Sequence, residues 1–191
     1  MKRTILSILL IFTMLFSITG CSSDKGTPPV LSVDGMELTL GECTPSSFSS
    51  QDFEIGVPGG GVPLGEMPGN SWLSSFLTAR KNGESYAYLY VYNPGKEDVY
   101  YLGATIYKVT FTMNSEEADY WTTSNIVFNG INLYGMDSAA VKEAMSEYKL
   151  NSEGDSGSLY YVDGKYNYSI SFDNNGLVEE VSIEMDIPKS Y

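Results

Sequence analysis

The sequence predicts an α+β fold: an antiparallel sheet or sheets with one or two short helices packed on one face. Three observations carry this expectation. Short apolar-polar alternating runs recur between Asp-Gly and Asn-Gly turns, the pattern of antiparallel hairpins. One stretch, around 138–148, has helical apolar spacing instead. The order of strand pair, helix start and further strands occurs twice, which fits a pseudo-repeat of two lobes, 30–113 and 126–185.

The elements follow in chain order. Val30 to Val33 and Met36 to Leu40 flank Asp34-Gly35 and read as a hairpin. Thr44-Pro45 predicts a short helix to about Gln51, with Thr44 as N-cap and Pro45 at the first helical position. Residues 56–70 are rich in Gly and Pro and read as a long loop with scope for function. Trp72 to Arg80 and Ser85 to Asn93 read as strands around a turn at 81–84. Val99 to Met113 reads as a long strand bent at Gly103, and residues 114–125 as irregular. Ile126 to Phe128 and Ile131 to Leu133 flank Asn129-Gly130. In the best helix, Asp137 or Ser138 caps a face of Val141, Ala144, Met145 and Tyr148. Leu159 to Val162, Lys165 to Phe172 and Leu177 to Met185 read as a three-strand meander turning at Asp163-Gly164 and Asn174-Asn175-Gly176.

Two resemblances add to this reading. Lys2 and Arg3 precede an apolar run from Ile5 to Phe16, which is too short for a spanning helix. Ile18-Thr19-Gly20-Cys21 closes that run and resembles the lipobox of bacterial lipoproteins. The resemblance implies cleavage between Gly20 and Cys21, diacylglycerol on the Cys21 sulfur, and two or more acyl chains, enough for stable anchoring. The expected address is therefore extracytoplasmic and anchored to the cell membrane, with inner or outer membrane left open. Residues 21–29, polar and ending in Pro28-Pro29, then read as a tether, and 30–191 as one domain. Further on, Leu133-Tyr134-Gly135-Met136-Asp137-Ser138-Ala139-Ala140-Val141 is similar to the helix opening of small lipoproteins related to BamE and to β-lactamase-inhibitory-protein-like domains. This looser similarity covers 126–185. It implies a helical layer on an antiparallel sheet and a bias toward binding other proteins, and it transfers no functional residue.

Composition narrows the function. The chain has 191 residues and a formal net charge of −13. Losing residues 1–20 removes Lys2 and Arg3 and moves the charge to about −15. Such a surface repels nucleic acid and anionic lipid headgroups. The chain has no His, which removes Ser-His-Asp and Cys-His nucleophile systems and the commonest metal ligand. With Cys21 lipidated, Cys43 has no partner within the chain and reads as a small buried apolar residue. The glycine run at 59–61 lacks the Gly-Lys-(Ser/Thr) of a phosphate loop. Asp173-Asn174-Asn175-Gly176 lacks the flanking carboxylates of a calcium loop. Ser146-Glu147-Tyr148-Lys149 has none of the partner motifs of penicillin-interacting enzymes. No cofactor and no metal are predicted.

What remains is aromatic. Tyr86, Tyr88, Tyr90 and Tyr92 alternate with Ala87, Leu89 and Val91, so on a strand all four tyrosines line one face. Such a face serves either as packing under another layer or as a contact surface, since Tyr offers large area with few torsions to freeze. The expected function is a non-enzymatic protein- or envelope-binding module, with a small-ligand or glycan binder as the alternative. A carboxylate-only enzyme would require two acidic side chains facing one cleft. A Tyr row beside a cleft favours the glycan alternative, and a broad flat patch favours a protein partner.

Overall fold

The structure is a computed structural model that describes residues 26–59, 61, 65–81, 84–113 and 126–187. Its principal layer is an antiparallel sheet of nine strands, eight of them in one path. The path begins with β11 (Lys149–Glu153), β12 (Leu159–Asp163), β13 (Tyr166–Phe172) and β14 (Val178–Met185). It continues through β9 (Thr105–Thr112), β7 (Glu84–Asn93), β6 (Leu77–Lys81) and β3 (Glu54–Gly56). The two-residue β5 (Ser71–Trp72) pairs with β7 beyond the end of β6. A second sheet has three strands in the order β10 (Ile126–Phe128), β1 (Val30–Val33) and β2 (Met36–Thr39). A ribbon of β4 (Glu66–Met67) and β8 (Val99–Tyr100) completes the strands.

The register explains why this sheet has two unlike faces. One cross-strand row runs Tyr161, Tyr168, Ile183, Val109, Leu89 and Leu77. All six are buried, and each fully buried aliphatic side chain contributes about 1.5–3 kcal/mol. The neighbouring row, one residue along, runs Tyr160, Ser169, Ser182, Thr110, Tyr88 and Thr78. Successive residues point to opposite faces, so the first row lines an inner face and the second an outer one.

The fold class is mostly antiparallel β, not α+β. Strand accounts for 49% and helix for 10%, with a single helix of seven or more residues. The inner face is covered by the small sheet where a helical layer was expected. Leu31, Val33, Leu38, Ile126 and Phe128 form its buried side, and Phe128 stacks on Tyr168 of β13 with ring centroids 5.7 Å apart. This layer is built by pairing Val33 with Ile126, two residues far apart in sequence, which local periodicity cannot reveal. The helices are plugs. α1 (Pro45–Ser49) buries only Pro45 and Phe48, and α2 (Ser138–Ala144) only Val141. The stretches 126–185 and 30–113 form contiguous halves of the large sheet, joined at β14 and β9, while both contribute to the small sheet and share one hydrophobic cluster.

Several local expectations hold. The Asp34-Gly35 hairpin forms, Thr44 caps α1 with Pro45 at its start, and the carboxylate of Asp137 accepts from the Ala140 amide at 2.8 Å. The C-terminal meander forms with the expected turns. Four segments differ. The strand expected over Trp72 to Arg80 splits into β5 and β6 around residues 73–76, and Ile131 to Leu133 makes only a single bridge, from Ile131 to Phe128. The long strand from Val99 breaks into β8, a 3-10 turn (Tyr101–Gly103) and β9. Within the 56–70 loop, Glu66–Met67 is strand, and Gly69 lies so close to Lys96 that a Cβ there would overlap its backbone carbonyl. The expected irregular segment 114–125 lies outside the described residues.

The described end of the tether is docked. Gly26 has φ +62°, and its missing Cβ leaves room for the Asp163 carbonyl. The Thr27 amide donates to the Asp163 carboxylate at 3.1 Å, and Pro29 is buried and accepts from the Leu40 amide.

Candidate functional site

The outer face of the large sheet is the candidate site, and two β-bulges shape it. On β7 the register passes from Ala87 opposite Ala79 to Ser85 opposite Arg80, which leaves Tyr86 as the extra residue. A bulge re-aims side chains, and Tyr86 turns to the core side. It is 5% exposed, its ring meets Phe53 at 5.2 Å, and its hydroxyl donates to the Asp34 carboxylate at 3.1 Å. The same carboxylate holds Lys81 at 2.7 Å. The row of four tyrosines read from alternation is therefore a row of three. Tyr88, Tyr90 and Tyr92 share the outer face and are half-buried.

The second bulge enlarges that row. On β9, Tyr107 is the extra residue between Ile106, opposite Val91, and Lys108, opposite Tyr90. Its ring lies edge-on to Tyr90 at 6.4 Å and to Tyr92 at 5.9 Å. Phe76, from the loop between β5 and β6, meets Tyr88 at 4.8 Å and Tyr90 at 5.8 Å. Trp72 lies opposite Tyr92 on the same face and is 45% exposed. These rings interlock edge to face, a favoured aromatic geometry. Burial raises the Tyr92 hydroxyl above its ordinary pKa. Burial chiefly, then the charges of Glu184 and Tyr90, does the same at Tyr107. Both hydroxyls stay protonated near neutral pH and remain hydrogen-bond donors.

Beside this aromatic bank runs a polar trough of about 410 Å³. Its floor has small side chains. Ser182 and Thr110 are buried and hydrogen-bonded to each other at 3.0 Å, with Ser169 beside them in the row. Lys108 and Glu184 pair at 3.1 Å on one flank, and Lys108 also lies 5.1 Å above the Tyr90 ring. On the far bank stands Tyr160, 40% exposed, with Ser152 opposite it on β11. From Tyr160 to Tyr88 is four strand steps, about 19 Å at ~4.8 Å per step.

Sequence reasoning did not find Lys108, Glu184 or the hydroxyl floor. Each is ordinary in its own strand, and only the pairing of β12, β13, β14, β9 and β7 brings them together. Trp72 carried no signal beyond being aromatic in a strand. Cys43 is buried and free, and burial pushes its thiol up to about 12. Asp173 accepts from the Asn175 and Leu177 amides, both at 2.9 Å, within a hairpin turn. Among the described residues, no group of three or more His, Cys, Asp or Glu could hold a metal ion. Among them, too, no helix is long and apolar enough to cross a membrane. Gly20 and Cys21 lie outside the described residues. A larger hollow of about 650 Å³ sits at the docked tether, but polar groups of its walls are already joined to one another. Asn129 accepts from the Val30 amide and donates to the Tyr148 hydroxyl, both at 2.8 Å.

No protein-family model, curated protein or solved structure matches the chain.

Proposed function

We propose that this chain is an extracytoplasmic, non-enzymatic binding module, anchored through lipid on Cys21, that holds a cell-envelope component against the outer face of its large sheet. One observation carries the reading: Tyr88, Tyr90 and Trp72 are half-buried or exposed on the outer face of that sheet, with Tyr92 and Tyr107 beside them packed in part against the core, while the other face holds most of that core. Large amphipathic rings on a rigid sheet suit contact with a partner, because few torsions remain to be frozen on binding. The absence of His from the sequence argues for binding over nucleophilic catalysis. The alternative, a glycan or small-ligand binder, gains support from the trough beside the row, the cleft that distinguishes it from a flat protein interface.

The test is retention of solubilised envelope components by the full chain on a support, compared with the Tyr90→Ala variant. Loss of a retained component in the variant, with the melting temperature lowered by only a few degrees, is the expected outcome. Equal retention by both chains sinks the proposal. Radioactive fatty acid that still labels a Cys21→Ser chain sinks its anchoring half.

A further inference from the structure

The outer trough makes three demands on any occupant. One bank is aromatic, the exposed ring of Tyr160, so the occupant offers apolar C–H surface. Its floor of Ser169 and Ser182, with Ser152 and Asn167 beside it, carries groups that both donate and accept, so the occupant offers groups that do the same. Its single exposed cation, Lys108, is offset by Glu184 at 3.1 Å, and the chain carries −13 overall, so the occupant is not a polyanion. A pyranose ring meets all three demands, with C–H faces, hydroxyl edges and no charge. A phosphate-bearing polymer fails the third and an apolar peptide fails the second. The volume of about 410 Å³ lies in the range of small-ligand sites. A protein partner would instead need on the order of 800 Å² of closely packed surface with a drier centre.

We infer that this trough binds a segment of an uncharged oligosaccharide chain, a sugar ring lying against Tyr160 over the hydroxyl floor. This rests on the outer face being the contact surface, and it names the class of component held there.

The experiment titrates the full chain, in a sugar-free zwitterionic detergent, with cellotetraose and with chitotetraose, followed by Trp and Tyr fluorescence. Heparin is the polyanion control. Saturable binding of at least one neutral tetrasaccharide is expected, unchanged when salt is raised to about 0.5 M, where long-range charge effects are screened. The Tyr160→Ala variant should bind at least about tenfold more weakly with unaltered melting temperature. Tyr160 is exposed enough for its truncation to leave the fold intact, so a loss there reports the site. Binding that survives Tyr160→Ala, or tighter and salt-sensitive binding of heparin, overturns the inference. Failure of both sugars, with Tyr90-dependent retention of an envelope protein, overturns the sugar assignment and leaves the binding-module reading standing. Failure of both sugars and of that retention overturns both.

Discussion

Tyr86 and Tyr90 are equivalent by alternation and opposite in the fold, so truncating each to Ala should give very different losses. Tyr86 is 5% exposed and packs on Phe53, which in turn meets Phe48 of α1 at 5.6 Å. Removing a buried aromatic ring costs about 3–5 kcal/mol, the upper part applying where the site cannot collapse. The lost hydroxyl adds little through its partner, because the Asp34 carboxylate keeps Lys81 at 2.7 Å. Tyr86→Phe isolates that contribution and should cost about 1 kcal/mol. Tyr90 is half-buried, and its ring contacts with Phe76 and Tyr107 are aromatic pairs of about 0.5 kcal/mol each at the low end of the range. Tyr90→Ala should therefore cost on the order of 1 kcal/mol. Urea unfolding followed by Trp fluorescence reads the difference. With a slope of roughly 2 kcal/mol per M, the Tyr86→Ala midpoint falls by about 2 M and that of Tyr90→Ala by about 0.5 M. Equal shifts for the two variants would falsify the assignment of the bulge and return both tyrosines to one face.

Two further outcomes follow from burial. Cys43, with its thiol pushed up to about 12, should react with iodoacetamide at pH 8 on the order of a thousandfold more slowly than an unfolded thiol of ordinary pKa ~8.5, and at the ordinary rate once urea unfolds the chain; rapid labelling of the folded chain contradicts the packing described. Glu180 is exposed on β14, and the partial desolvation it meets there, opposed by Lys108, raises it modestly above the ordinary 4.5, so solvent screening keeps its effect on stability small. A carboxyl whose folded pKa is raised favours folding while protonated, and it loses that contribution as pH climbs from the unfolded value through the folded one. Glu180→Gln should thus raise the melting temperature near pH 7 and change it little near pH 4, and a larger gain at pH 4 reverses the sign of the argument.

What could be read without coordinates was whatever is local. Asp34-Gly35, Thr44-Pro45 and Asp137 act within a few residues of themselves, and each turn or cap formed where its chemistry asked for it. The expected helical layer failed because nothing local says that Val33 will lie beside Ile126, and that pairing is what makes a second sheet available to cover the first. β11 escaped notice because all five of its residues are exposed. An edge strand held only by its ladder with β12 carries no apolar period. At the site, alternation located Tyr88, Tyr90 and Tyr92 correctly relative to Leu89 and Val91. It misassigned Tyr86 because a single inserted residue reverses the parity of a strand. The trough was illegible for a different reason, since its walls and floor are contributed by five strands whose order in space departs from their order in the chain.

The docking of Gly26 against the Asp163 turn has a consequence for how far the protein reaches. Five Cα-to-Cα steps lead from Cys21 to Gly26, and an extended chain advances at most about 3.6 Å per step. With lipid on Cys21, the anchor point and the sheet are never more than about 18 Å apart. On the proposed anchoring, a leash of that length would confine the domain to a thin layer directly above the bilayer. Within such a layer an envelope polymer would be present at a high effective concentration, so individually weak contacts with Tyr90 and Tyr160 would suffice to hold it. A freely flexible run from Cys21 to Val30 would enlarge the volume searched and dilute that advantage, and the four docked residues prevent it.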